Sequence, residues 1–296
     1  MLRFPATLIA VTLVAAVPLG ADVAPRQIAQ APASAPASAA APVDARTWIG
    51  RAAEMEDYLR TVPILKMEAL SVGVTKPMRA FLPEGGPMKY LVWKAIQPGR
   101  YNSFWESYKS EIAAYELDKL LALNMVPPTV EKIYRGERGA AVMFVSPVKS
   151  FKELGGAPTA PARLQAAWAR QLVKAKMFHN LINNVDPNLG NWLVDPAWNL
   201  VLIDCTRCFM RGTKMAHAFT RVDSDLWDRM KALTEATLAP KLGRWLEGKA
   251  ELRAILQRRD KMQEIITGLV KEHGEASVFM RDGTYEPLAP PPGGEF

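Results

Sequence analysis

Phe178-His-Asn-Leu-Ile-Asn-Asn-Val-Asp-Pro-Asn-Leu-Gly-Asn-Trp-Leu-Val-Asp195, followed shortly by Leu200-Val-Leu-Ile-Asp-Cys-Thr-Arg-Cys-Phe209, is the stretch that decides the fold. An acidic residue, Asp186, precedes an amide, Asn191, and the short apolar run Trp192-Leu-Val. Asp195-Pro-Ala-Trp-Asn199 reads as a turn, and a second apolar run, Leu200-Val-Leu-Ile203, ends on Asp204. Two short antiparallel strands joined by that turn make Asn191 and Asp204 neighbours at the open end of a hairpin. A carboxylate and an amide oxygen then meet beside Asp186, a donor set of hard oxygens suited to Mg2+.

Phosphoryl transfer uses such a layout: one carboxylate orients the attacking hydroxyl, while an amide and a second carboxylate hold metal against phosphates. The pattern Asp-x-x-x-x-Asn, a hairpin, then Ile-Asp resembles the catalytic and metal-binding loops of the protein-kinase-like superfamily. Its Asp-x-x-x-Gly-Asn form is most similar to the atypical branch of HipA-type kinases, phosphatidylinositol 3-/4-kinases and secretory-pathway kinases. Taken without the rest of the chain, Asp-Pro-Asn and Leu-Gly-Asn are also ordinary turn sequences.

Upstream, Leu65–Val74, Met78–Leu82 and Met88–Ile96 read as antiparallel strands, with a turn at Glu84-Gly-Gly-Pro87. The following run, Phe104 to Leu123, has Ile112, Tyr115, Leu117, Leu120 and Leu121 at helical spacing, with Glu111 beside the same stripe. The resemblance implies that Lys94, on the third strand, grips nucleotide phosphates and that Glu111 holds Lys94. Glu106 and Glu116 are the runners-up for the role of Glu111 and read as solvated. Val126-Pro-Pro-Thr129 is similar to the segment that closes this helix in atypical kinases, and Pro127-Pro128 is expected to end it. Val130–Tyr134 and Ala140–Val145 form a further hairpin around Arg135–Gly139. Its end, Phe144-Val-Ser-Pro147, is where the resemblance puts the link between lobes, with adenine on backbone groups of Phe144 and Ser146. Gly73-Val-Thr-Lys76-Pro reads either as a plain β-turn or as a loop covering phosphate through backbone N–H groups, so Gly73 and Lys76 are candidate nucleotide contacts.

Beyond these strands, Arg163–Ile182 reads as a helix, with further helices at Asp223–Ala232, Ala236–Leu246 and Lys249–His273. Arg258, Arg259 and Lys261 on the last are expected on a solvated face. His179 reads as a packed or surface histidine rather than a base, and Arg211–Phe219 as a substrate-side loop. Cys205 and Cys208, the chain's two cysteines, form a Cys-x-x-Cys that reads as structural, as a disulfide switch or as half a metal site. Zinc would need two more ligands, and the three histidines are scattered at 179, 217 and 273.

The 296 residues, 49% hydrophobic and 23% charged, suit a folded globular chain, and the formal charge of +7 suits anionic partners such as nucleotides. No basic run interleaved with aromatics argues for nucleic-acid binding. Arg3, the apolar run Leu8–Val17 and Pro18-Leu-Gly-Ala21 read as an export signal over residues 1–24, too short to span a bilayer, which needs about 20 apolar residues. A retained N-terminal anchor is the alternative. Residues 25–44 are an Ala/Pro/Ser tether and 284–296 a disordered tail.

The expected architecture is therefore α+β and bilobal, protein-kinase-like. Residues 45–147 form a small antiparallel β lobe with one long helix, and 148–283 a mainly helical lobe. The leading functional reading is an exported phosphotransferase using ATP and Mg2+ or Mn2+, moving phosphate to a hydroxyl on a protein, sugar or lipid. Asp186 is its catalytic residue, and Asn191 and Asp204 are its metal ligands. Three departures accompany the resemblance: Pro187 where relatives commonly carry Arg, Cys205 after the metal-binding Asp, and no recognisable glycine-rich loop. A kinase-like binding module without catalysis is the second reading, and a Cys-x-x-Cys redox protein the third.

Overall fold

The computed structural model describes residues 43–70, 78–186 and 188–281. The export signal, nearly all of the tether, Gly73, Lys76, Pro187 and the whole of the tail lie outside the described residues.

The small lobe starts with helix α1 (Ala52–Thr61) and strands β1 (Lys66–Ala69), β2 (Met78–Phe81) and β3 (Tyr90–Lys94). A small hairpin, β4 (Gly99–Tyr101) and β5 (Phe104–Glu106), leads into α2 (Tyr108–Leu120); β6 (Thr129–Tyr134) and β7 (Glu137–Met143) follow. These strands form a five-stranded antiparallel sheet in the order β1-β2-β3-β7-β6. Period-two alternation sends Leu91 and Trp93 into a core with Met55, Leu59, Ala141 and Met143. Val92 and Lys94 therefore face the other way, toward the second lobe. Lys132 of β6 turns its ammonium onto the last carbonyls of α1 (Leu59, Arg60 and Val62 at 3.0, 3.0 and 2.7 Å), fixing that helix across the sheet.

The large lobe holds β8 (Lys149–Ser150), α3 (Gln165–Ile182), β9 (Trp192–Val194), β10 (Leu200–Leu202), β11 (Val222–Asp223), α4 (Ser224–Lys231), α5 (Glu235–Leu242), α6 (Lys249–His273), α7 (Glu275–Val278) and β12 (Phe279–Met280). The second hydrophobic core is continuous from α2 through α3, β9 and β10 to α6. No helix among the described residues is long and apolar enough to cross a membrane.

Four sequence expectations need correction. Phe104–Glu106 is a strand, not the first turn of the helix: Asn102 and Ser103 take positive φ (46° and 73°), folding these residues back on Gly99–Tyr101. The helix begins after Ser107, whose hydroxyl accepts the Lys109 N–H. It ends at Leu120, well before Pro127, because Asp118 gathers the N–H groups of Asn124, Met125 and Val126 (3.0, 2.9 and 2.9 Å) into a tight reversal. Glu106 is 3% exposed rather than solvated. Arg258 is fully buried, donating to the carbonyls of Leu181, Met210 and Gly212 at 2.8, 2.7 and 2.9 Å.

Candidate active site

The hairpin of β9 and β10 pairs Trp192 with Leu202, and just beyond it the Ile203 N–H donates to the Asn191 carbonyl at 3.0 Å. This closes the open end of the hairpin with Asn191 on one arm and Asp204 on the other. Asp204 sits in the left-handed region (φ 65°), which turns the chain away from the strand direction there.

Across the cleft, Lys94 at the end of β3 meets both acids. Its Nζ lies 2.5 Å from Glu111 Oε1 on α2 and 2.8 Å from Asp204 Oδ1. Lys94 and Glu111 are 8% and 5% exposed at the side chain, and Asp204 is 22%. Burial opposes the ammonium charge, but the carboxylates of Asp204 and Glu111 outweigh it and hold Lys94 above the usual lysine range. Burial raises Asp204 as well, yet Lys94 outweighs it and holds Asp204 below the usual carboxylate range. Glu111, buried and facing the Asp204 charge, is pushed up despite Lys94. Asp204 is thus the firmer anion of the two. The Cys205 N–H also donates to Glu111 Oε1, at 3.1 Å.

These groups border a cavity of about 250 Å3 between the sheet and the hairpin. Lys94, Asn191 and Asp204 make one part of its wall; Val92, Val142, Phe144, Val145, Leu193 and Ile203 make another. One pocket therefore offers charged and amide groups together with an apolar slot, the combination a nucleotide presents in mirror image. Phe144 is in the wall, whereas Ser146 is exposed. Asp186, half-buried, stands next to this wall: Asn191 Nδ2 reaches its Oδ2 at 3.4 Å, and its Oδ1 accepts the Asn188 N–H at 2.9 Å.

Among the described residues no three His, Cys, Asp or Glu side chains cluster as a metal cage. Asn191 and Asp204 supply two hard oxygen donors on one wall, which fits Mg2+ or Mn2+, ions commonly held by one or two protein oxygens with phosphates and water completing the shell.

No protein-family model matches the sequence, and no curated protein matches it. Among solved structures the chain is similar to hydra Fam20 determined with sugar, with TM-score 0.60 and 15% identity over 78% of this chain and 93% of that one. It is also similar to the Golgi casein kinase (0.57, 13%, 77% of each chain) and to the same kinase with Mn/ADP bound (0.56, 14%, 77% and 78%). The fold is protein-kinase-like.

In this kinase-like fold, Lys94, Glu111, Asn191 and Asp204 converge, and Asp186 joins them through Asn191. His179 packs in the interior (1% exposed), its ring 4.7 Å from that of Trp192 and its Nδ1 3.3 Å from His217 Nε2. Cys205 and Cys208 are buried free thiols, and the Cys208 N–H donates to the Cys205 carbonyl at 3.1 Å. Sequence reasoning passed over one feature beside the site, the ion pair of Glu106 with Arg207 (2.8 and 2.6 Å). Its only signal was Arg207 falling three residues after Asp204.

Proposed function

We propose that the chain is a metal-dependent phosphotransferase of the atypical kinase kind, moving the γ-phosphate of ATP to a hydroxyl acceptor. The observation that carries this reading is the position of the Lys94 ammonium, 2.5 Å from Glu111 and 2.8 Å from Asp204 on the wall of the interlobe cavity. A cation so placed would grip phosphate oxygens, with Glu111 holding it while Asp204 would hold a metal ion.

Asn191 and Asp204 would hold Mg2+ or Mn2+, which when bound neutralises phosphate charge. The adenine lies in the slot of Val92, Val142 and Leu193, with backbone groups at Phe144 as its polar edge. Gly73 and Lys76, outside the described residues, stay candidate phosphate contacts from the sequence alone. Asp186 accepts the hydrogen bond of the acceptor hydroxyl and takes its proton as the new O–P bond forms and the bond from the γ-phosphorus to the bridging oxygen breaks, releasing ADP. Its Asn188 N–H and Asn191 amide contacts fix the carboxylate for that task. In this reading, residues 45–147 are the nucleotide-binding lobe, 148–283 the catalytic lobe and 1–24 the export signal.

Calorimetric titration with MnATP tests the reading. Wild type binds, and Asp204→Ala, keeping its melting temperature within a few degrees, loses binding by more than about a hundredfold, the scale expected when a charge-assisted contact to metal and phosphate is removed. Equal affinity in the two proteins would refute it.

A further inference from the structure

The segment after Asp204 is fastened to the entrance of α2 at three points. The Cys205 N–H donates to Glu111, the Ser107 N–H donates to the Thr206 carbonyl at 3.0 Å, and Arg207 gives Nε and Nη2 to Glu106 Oε1 at 2.8 and 2.6 Å. Glu106 is 4% exposed at the side chain, and the Arg207 guanidinium also lies 4.5 Å above the Phe104 ring. Glu106 closes β5 directly before the Ser107 cap, so whatever holds Glu106 holds the first turn of α2 and, with it, Glu111.

Separating a buried carboxylate from its guanidinium leaves a charge without a partner, which is strongly unfavourable. Any movement of α2 that withdrew Glu111 from Lys94 would pull on this pair. We propose that Arg207 is a positioning residue: through Glu106 it locks α2 in the place where Glu111 holds Lys94. This rests on the phosphotransferase reading for its catalytic meaning, though the lock itself is a statement about α2 and Lys94.

Two measurements on the full chain separate these. In the first, mass spectrometry follows acetylation of Lys94 by an amine-reactive ester, with Lys132, 8% exposed in the small lobe, as internal control. Arg207→Met speeds Lys94 labelling roughly tenfold, the size expected for coupling within one contact network, and leaves Lys132 unchanged. The near-isosteric Glu106→Gln acts in the same direction by a smaller factor, which keeps the test open if Arg207→Met fails to fold. In a Glu111→Gln background the Arg207 change adds nothing. Unchanged Lys94 labelling in both variants, or full additivity with Glu111→Gln, overturns the inference. In the second measurement, MnATP affinity falls in parallel with Lys94 protection. A wild type that protects Lys94 yet does not bind MnATP sinks the phosphotransferase reading and leaves the lock standing.

Discussion

Buried groups in this chain keep or lose their charge according to their partners. Lys94 stays an ammonium because two acids face it, while His179, buried more deeply, has none among the described residues. Burial, with the neighbouring His217, pushes the His179 imidazole down to about 3. Its surroundings are Trp192, His217 and the amide of Asn184, 3.4 Å from Nε2. The folded-state value lies below the unfolded one, so the unfolded chain binds the extra proton between about pH 6.5 and 3. This histidine's contribution to stability is complete above pH 6.5 and drains away as pH falls through that window. Between pH 7 and 5 the loss is about 2 kcal/mol. Urea titrations at both pH values should show wild type losing that much more than His179→Gln, and equal losses would show that His179 carries a proton in the fold. Such behaviour could not be read from the sequence, which left His179 as a packed or surface histidine, since its partner His217 is 38 positions away. The meeting of Lys94, Glu111 and Asp204 beside Asn191 was legible for a different reason. Periodicity marked the strand of Lys94, the helix of Glu111 and the hairpin of Asn191 and Asp204, and the resemblance to the kinase-like superfamily, carried by their order along the chain, implied that they meet.

Elements were recovered better than their facing. The limits of α6, Lys249–His273, follow directly from its apolar stripe, yet Arg258 was read onto the wrong face. An arginine between Gln257 and Arg259 looks solvated until its acceptors are known, and these are carbonyls of Leu181, Met210 and Gly212, far off in sequence. The same blindness hid Glu106, whose partner lies 101 residues on. The start of α2 was misplaced because Phe104-Trp-Glu fits both a helical turn and a strand, and the choice falls to the Asn102-Ser103 reversal and the Ser107 cap. Arg258 links α6 to the end of α3, just before the loop of Asp186, and to the segment after Cys208. Replacing it by Leu strands three carbonyls in the interior, each costing about 1–3 kcal/mol when buried without a donor. Arg258→Leu should therefore lower unfolding free energy by about 3 kcal/mol or more, against about 0.5 kcal/mol or less for Lys261→Ala on the exposed face. Similar values for the two would show that Arg258 is not the tie between these segments.

At the scale of the molecule, the sheet contributes one wall of the cleft and the β9–β10 hairpin the other, and both are held by core. Ala140 and Val142 of β7 pack with α2 and the large-lobe helices, while Val201 of β10 packs with the small-lobe core. The two lobes thus exchange strands of apolar contact on either side of the cavity, and the space between them is defined by residues that cannot easily retreat. That rigidity gives a direct way to ask whether the apolar slot receives a base. Val92 faces the cavity from β3, in register with Val142, and its neighbours Leu91 and Trp93 are turned into the core behind it. Val92→Trp places an indole into about 250 Å3 of space and leaves Lys94, Glu111, Asn191 and Asp204 unsubstituted. Because the added bulk enters a cavity rather than packed core, the change in stability should stay within about 1 kcal/mol, smaller than the overpacking penalty of a filled interior. MnATP binding should fall by more than about a hundredfold, while Mn2+-dependent binding of inorganic triphosphate, which needs only the polar wall, should fall by less than about threefold. If triphosphate and ATP weaken together, the base lies elsewhere and the slot serves only to hold the lobes apart; if neither weakens, phosphate and base both bind outside this cleft.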